Sequence, residues 1–101
     1  MSTDVTAEAT VQIDDENVRV TEWRFAPGTQ TGEHTHEFDY VVVPLTGGTL
    51  QVHSDGEVAP NDLVPGRSYT RRAGARHNVV NESDSECAFV EIELKRQSPA
   101  G

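Results

Sequence analysis

Turn-forming residues break this chain at short intervals, and no stretch between them keeps a 3.6-residue apolar rhythm. Ala26-Pro27-Gly28, Gly32, Gly47-Gly48, Asp55-Gly56, Pro65-Gly66 and Ala73-Gly74 each favour a reversal, and Pro60-Asn61-Asp62 reads as a further interruption. The segments between them are short and rich in β-branched and aromatic side chains: residues 17–25 (NVRVTEWRF), 39–44 (DYVVVP), 49–53, 67–72, 77–81 and 87–94. Alternation is clearest in the last, where Ala88, Val90, Ile92 and Leu94 oppose Phe89, Glu91 and Glu93. Short strands separated by turns predict an all-β sandwich or barrel with no long helix. Val11 and Ile13 predict one more short strand, able to exchange with a second subunit.

With 101 residues the chain makes one domain, large enough for its own core. The expected layout is a flexible segment over residues 1–10, a barrel over 11–96 and a tail over 97–101. No apolar run approaches a membrane span, and the start MSTDVTAEAT lacks the basic and apolar parts of a secretory signal, so a cytoplasmic location is expected. The single Cys87 cannot form an internal disulfide and sits among apolar neighbours, which reads as a small buried side chain. A net charge of −9 excludes nucleic acid and anionic membrane as expected partners. Yet Arg67, Arg71, Arg72 and Arg76, half of the eight basic residues, precede His77 closely. They read either as a solvated counterweight to an acidic surface or as a local positive field that favours an anionic small molecule, most simply a carboxylate.

His34 and His36 are one residue apart, so on a strand both rings leave the same face and can reach one point in space. This is a metal-ligand spacing that needs another donor from elsewhere. His53 sits beside the Asp55-Gly56 turn and reads as exposed, whereas His77 opens a later strand.

Together these segments resemble the two motifs of the cupin superfamily. Gly28, His34, His36 and Gly47 stand at the spacing of the first motif, with Tyr40 where that motif carries Glu. Gly66, Gly74, His77 and Asn81 stand at the spacing of the second, with Arg72 where Pro is usual. The resemblance implies a single-domain conical β-barrel of jelly-roll type, with His34, His36 and His77 holding a divalent metal ion: Fe(II), Zn, Ni or Mn. The run HTHEFDYVVVPLTGG is most similar to small cupins linked to β-alanine degradation. The resemblance also implies a homodimer.

Without a carboxylate ligand, three imidazoles leave a bound ion its full charge and open positions, which is a catalytic type of site. Some cupin dioxygenases acting on thiols or β-diketones use such a set on Fe(II). Tyr40 then has three readings: a phenolate ligand, a hydroxyl that orients substrate, or a plug in the barrel. Asp39, out of phase by one residue, substitutes for the missing Glu only if a bulge shifts the register. Asn81 falls on the face of His77 and reads as a loop anchor. The leading expectation is a metal-dependent, dioxygenase-like enzyme acting on a small anionic metabolite, with Arg72 and Arg76 as substrate-binding cations. The alternative is a non-catalytic module that binds a small ligand.

Overall fold

The computed structural model describes residues 5–96, which form nine strands and no helix. In chain order these are β1 (Glu8–Asp14), β2 (Val18–Phe25), β3 (His34–Thr35), β4 (Tyr40–Pro44), β5 (Gly48–Ser54), β6 (Glu57–Leu63), β7 (Tyr69–Arg71), β8 (Arg76–Val80) and β9 (Cys87–Leu94). They build two antiparallel sheets, one in the order β1-β2-β9-β4-β7 and one in the order β3-β8-β5-β6. The arrangement is the all-β architecture that the turn spacing predicts, of the jelly-roll type that the resemblance implies, and Phe25, Leu50, Val42, Leu63, Val79 and Phe89 pack between the sheets.

β1 begins at Glu8, earlier than Val11, and pairs with β2 of its own chain, with a register shift between Val11 and Ile13. The expected tail over 97–101 lies outside the described residues. Pro60 does not interrupt the chain but lies inside β6, an edge strand, where a missing N–H costs no ladder bond on the open side. Strand character in residues 67–72 is confined to Tyr69–Arg71.

The alternation along β9 is as the sequence indicates, but the carboxylate-bearing face is the inner one. Cys87, Phe89, Glu91 and Glu93 are all buried, whereas Val90, Ile92 and Leu94 are half-buried on the outside. Register explains this: Glu91 lies between Thr21 and Val42, and Glu93 between Arg19 and Tyr40, all on inward positions. Outside, Ile13, Val20, Ile92 and Val41 form a continuous cross-strand row, which stabilises the sheet by direct side-chain pairing. The interior therefore grades along β9 from an apolar floor at Cys87 and Phe89 to a polar end at Glu91 and Glu93.

The floor is tight. Cys87 is fully buried, and burial raises its thiol pKa, as expected of an inert packing residue. Gly48 adopts φ +109°, and a Cβ there would lie 2.7 Å from Cys87 Sγ. Gly48→Ala combines left-handed strain with overpacking and should destabilise the protein by about 2–4 kcal/mol. Gly47→Ala meets only Leu63 O at 3.8 Å and should cost far less. Urea unfolding of the two variants checks the contrast.

Candidate metal centre

β3 and β8 pair so that His34 lies opposite His77, which puts both rings on the inner face. His36 falls just beyond β3, but the pairing continues through its backbone: His36 N donates to Ala75 O (3.0 Å) and Gly74 N donates to His36 O (2.8 Å). The i, i+2 relation between the first two histidines is thus preserved past the end of the strand. The rings meet edge to face, with Nε2 of His34 and His36 3.0 Å apart and Nε2 of His36 and His77 3.1 Å apart.

Acceptor oxygens on the far side of two rings favour a protonated Nδ1 on each, through a hydrogen bond for His34 and a closely facing carboxylate for His36. His34 Nδ1 lies 2.8 Å from Gly32 O, which can only accept, so Nδ1 carries the proton and Nε2 presents a lone pair. Gly32 is itself held by Asn78, whose Oδ1 accepts from Gly32 N at 2.9 Å. His36 Nδ1 faces Glu91 Oε1 at 3.3 Å, and Glu91 Oε2 accepts from Trp23 Nε1 at 2.9 Å. With both Nδ1 atoms as donors, two lone pairs face each other at 3.0 Å. A cation between them relieves that repulsion. Bonds of about 2.05 Å at right angles give a nitrogen–nitrogen edge of about 2.9 Å, close to both distances from His36, and the three donor atoms all lie within 4.8 Å of one another. The residues present therefore fit a divalent metal ion.

Electrostatics favour the same state. Burial, then repulsion from the other histidines, lowers His36 to about 4; burial, His34 and Arg71 lower His77 to about 4. Both rings are neutral, ligand-competent imidazoles at pH 7. Burial and the neighbouring Glu93 raise Glu91 to about 7, against the Trp23 hydrogen bond. Glu93 is held by Arg19 in a two-pronged pair at 2.8 and 3.2 Å.

Tyr40 stacks flat on His36, with ring centroids 4.0 Å apart and planes at 22°. Burial and Glu91 push its phenol above the ordinary range, so it is a neutral hydroxyl rather than a phenolate. Asp39 points away from the cluster and accepts from Ala73 N at 2.7 Å. Asn81 is fully buried and anchors the loop before β9, donating to Phe25 O and Ser85 O at 2.9 and 2.8 Å. His53 lies beside its turn and faces Glu82 at 3.3 Å.

The histidines open into an internal cavity of about 70 Å³ that Tyr40, Tyr69 and Arg71 also line. A more open cleft of about 410 Å³ approaches His34 and His36 from the other side, past Arg19, Glu37 and Glu93. Arg72 and Arg76 are exposed and line neither. Arg76 pairs with Glu33 at 2.5 Å on the rim of an external cleft of about 550 Å³ that also holds His53 and includes none of the three clustered histidines. The cation at the cavity is Arg71, on β7 opposite Tyr40. Sequence spacing singles out neither Glu91 nor Trp23. The signal available for both was alternation, since Trp23, Glu91 and the apolar floor share one sheet face.

A jelly roll with three inward histidines at these two positions is the cupin architecture, and this chain belongs to the cupin family: the cupin domain matches residues 21–93. It is 54% identical to the β-alanine degradation protein BauB of Pseudomonas aeruginosa over 88% of this chain and 94% of that one. The crystal structure of a cupin domain from Bordetella pertussis Tohama I superposes with a TM-score of 0.89 at 51% identity, covering 95% of this chain and all of that chain. A cupin superfamily protein from Desulfitobacterium hafniense shares the fold, with a TM-score of 0.70 at 18% identity over 95% of this chain and 84% of that one.

Proposed function

We propose that this protein is a metal-dependent enzyme of dioxygenase type that acts on a small anionic metabolite, with His34, His36 and His77 as the metal ligands. The observation that carries this reading is the convergence of three imidazole side chains, with Nε2 of His36 3.0 Å from that of His34 and 3.1 Å from that of His77. A divalent metal held there by His34, His36 and His77 would supply open positions for activating oxygen or polarising a chelating carboxylate or carbonyl.

The chain's own residues supply the rest. Glu91 and Trp23 hold His36 in its ligating tautomer, and Asn78 does the same for His34 through Gly32. Phe89 and Val42 give the inner cavity an apolar wall on its floor side, while Arg71 gives it a positive end. At about 70 Å³ the cavity is well below the roughly 300 Å³ of sites for drug-sized ligands, and it suits a metabolite of a few heavy atoms. The likeness to a β-alanine degradation protein directs the search toward β-amino acids and the keto acids and thiols related to them.

Protein purified without chelators should carry close to one equivalent of a divalent ion by elemental analysis. Turnover of β-amino acids, thiols and keto acids in air should depend on reloading stripped protein with Fe(II), Ni, Mn or Zn. Binding of panel members with no conversion under any metal would favour the non-catalytic module instead.

A further inference from the structure

Thr31, Asn61, Tyr69, Trp23 and Glu91 also line the internal cavity and are bonded to other side chains, whereas Arg71 and Tyr40 are polar lining groups with no hydrogen bond to another side chain among the described residues. Taking that cavity as the substrate site, as proposed above, we infer that Arg71 and the hydroxyl of Tyr40 together bind the carboxylate of a short monocarboxylic substrate, so that position 40 serves the substrate instead of the metal.

Four observations carry this. First, β4 and β7 place Tyr40 directly opposite Arg71, on one face. Second, Tyr40 is 4% exposed, yet its hydroxyl has no hydrogen-bond partner among the described residues and is not sealed from solvent-sized space. A hydroxyl with no protein partner that opens on the cavity is free to donate to an acceptor placed there. Third, Arg71 makes no ion pair among the described residues. Its guanidinium lies over the Tyr69 ring, 4.4 Å from the centroid, and one nitrogen donates to Thr70 O at 2.9 Å. Stacking occupies a guanidinium's face and leaves N–H groups in its plane for a planar anion. Arg19, Arg24 and Arg76 are each paired with a carboxylate, and of the arginines without such a pair among the described residues Arg71 is the one that lines the cavity. Fourth, Tyr69 is steadied from behind, its hydroxyl accepting from Asn61 Nδ2 at 2.8 Å, so the ring under Arg71 is a fixed platform.

The volume sets the ligand's length. A carboxylate at this end and a second group toward the histidines fill a space of about 70 Å³ with a three- or four-carbon chain.

The test uses propionate, with propionamide as its uncharged isostere, titrated by NMR into chelator-treated protein and into metal-loaded protein. Propionate should bind both forms, and propionamide should bind at least about 10-fold more weakly. Arg71→Gln should weaken propionate binding about 10- to 100-fold, and Tyr40→Phe about 10-fold, with propionamide little changed by either. Arg72→Gln should bind propionate like the parent. Propionate binding that appears only after metal loading and ignores Arg71→Gln would assign the carboxylate to the metal and overturn the inference. Equal affinity in both variants and the parent, or no binding by either form, would overturn it too. Failure to bind metal would instead sink the enzyme reading alone, because the carboxylate titration of chelated protein does not depend on it.

Discussion

His77→Ala should lower affinity for divalent metal roughly 10²- to 10³-fold and abolish the rise in melting temperature that metal addition produces. The size follows from sharing: structural zinc sites gain about 10–16 kcal/mol from four ligands, so one ligand is worth about 3–4 kcal/mol. His77 is the ligand to remove first, because it arrives from β8 while His34 and His36 come from one short segment. Losing it leaves two donors that share a chain segment and no third direction. The metal-free variant should remain folded, since the ring it lacks is half-buried and its backbone pairing with His34 needs no side chain. His53→Ala provides the comparison: a histidine on the external cleft, facing Glu82, whose loss should change metal affinity by less than about twofold. Competition against a chromophoric chelator measures both. Retention of full affinity by His77→Ala would show that the cluster is a polar interior and not a metal centre.

The histidine cluster was legible in the sequence because its rules are local. His34 and His36 share a face by strand period alone, and the glycines at 28, 47, 66 and 74 fix the spacing that brings His77 to them. The fold class was legible for the same reason, since turns and alternation are short-range signals. What was not legible depends on which face of a strand looks inward. In β9 the apolar set Val90, Ile92 and Leu94 satisfies the ordinary expectation for a core, yet it lies outside, and Glu91 and Glu93 are buried. Burying two carboxylates requires partners already in place. Arg19 from β2 holds Glu93, and Trp23 with His36 holds Glu91. Those partners are 68 to 74 residues away in sequence for Trp23 and Arg19, beyond any pattern along one segment. The arginines show the same limit. The positive charge near His77 could be read from composition, but strand register selects Arg71 and turns Arg72 and Arg76 away.

Glu91→Gln is the sharper test of how the centre is held, because it should move metal affinity one way and pH-dependent stability the other. The carboxylate accepts from Trp23 Nε1–H on one oxygen, and its other oxygen faces His36 Nδ1 at 3.3 Å. An amide of the same shape has one oxygen and one NH₂, so one of those two ring nitrogens must face the NH₂. If the amide turns its NH₂ to His36, the ring takes the opposite tautomer and its proton moves to Nε2, into the space the metal needs. Outer groups that orient a ligating histidine are typically worth 10- to 100-fold in metal affinity, and that loss is expected here. Stability should respond differently. The Glu91 carboxyl is raised from 4.5 to about 7 by burial and Glu93, so its contribution is fully present below about 4.5 and is lost as pH rises through about 7. Metal-free parent protein should therefore lose stability relative to Glu91→Gln across that window, by up to a few kcal/mol, and the difference should level off above it. Trp23 is the only tryptophan in the chain, so its emission should report the rearranged hydrogen bond directly. A variant that lost affinity and stability together, with no pH-dependent divergence from the parent, would show that Glu91 only fills space beside His36. Opposite signs would show a buried charge kept at a cost to the fold because it aims one imidazole at the metal.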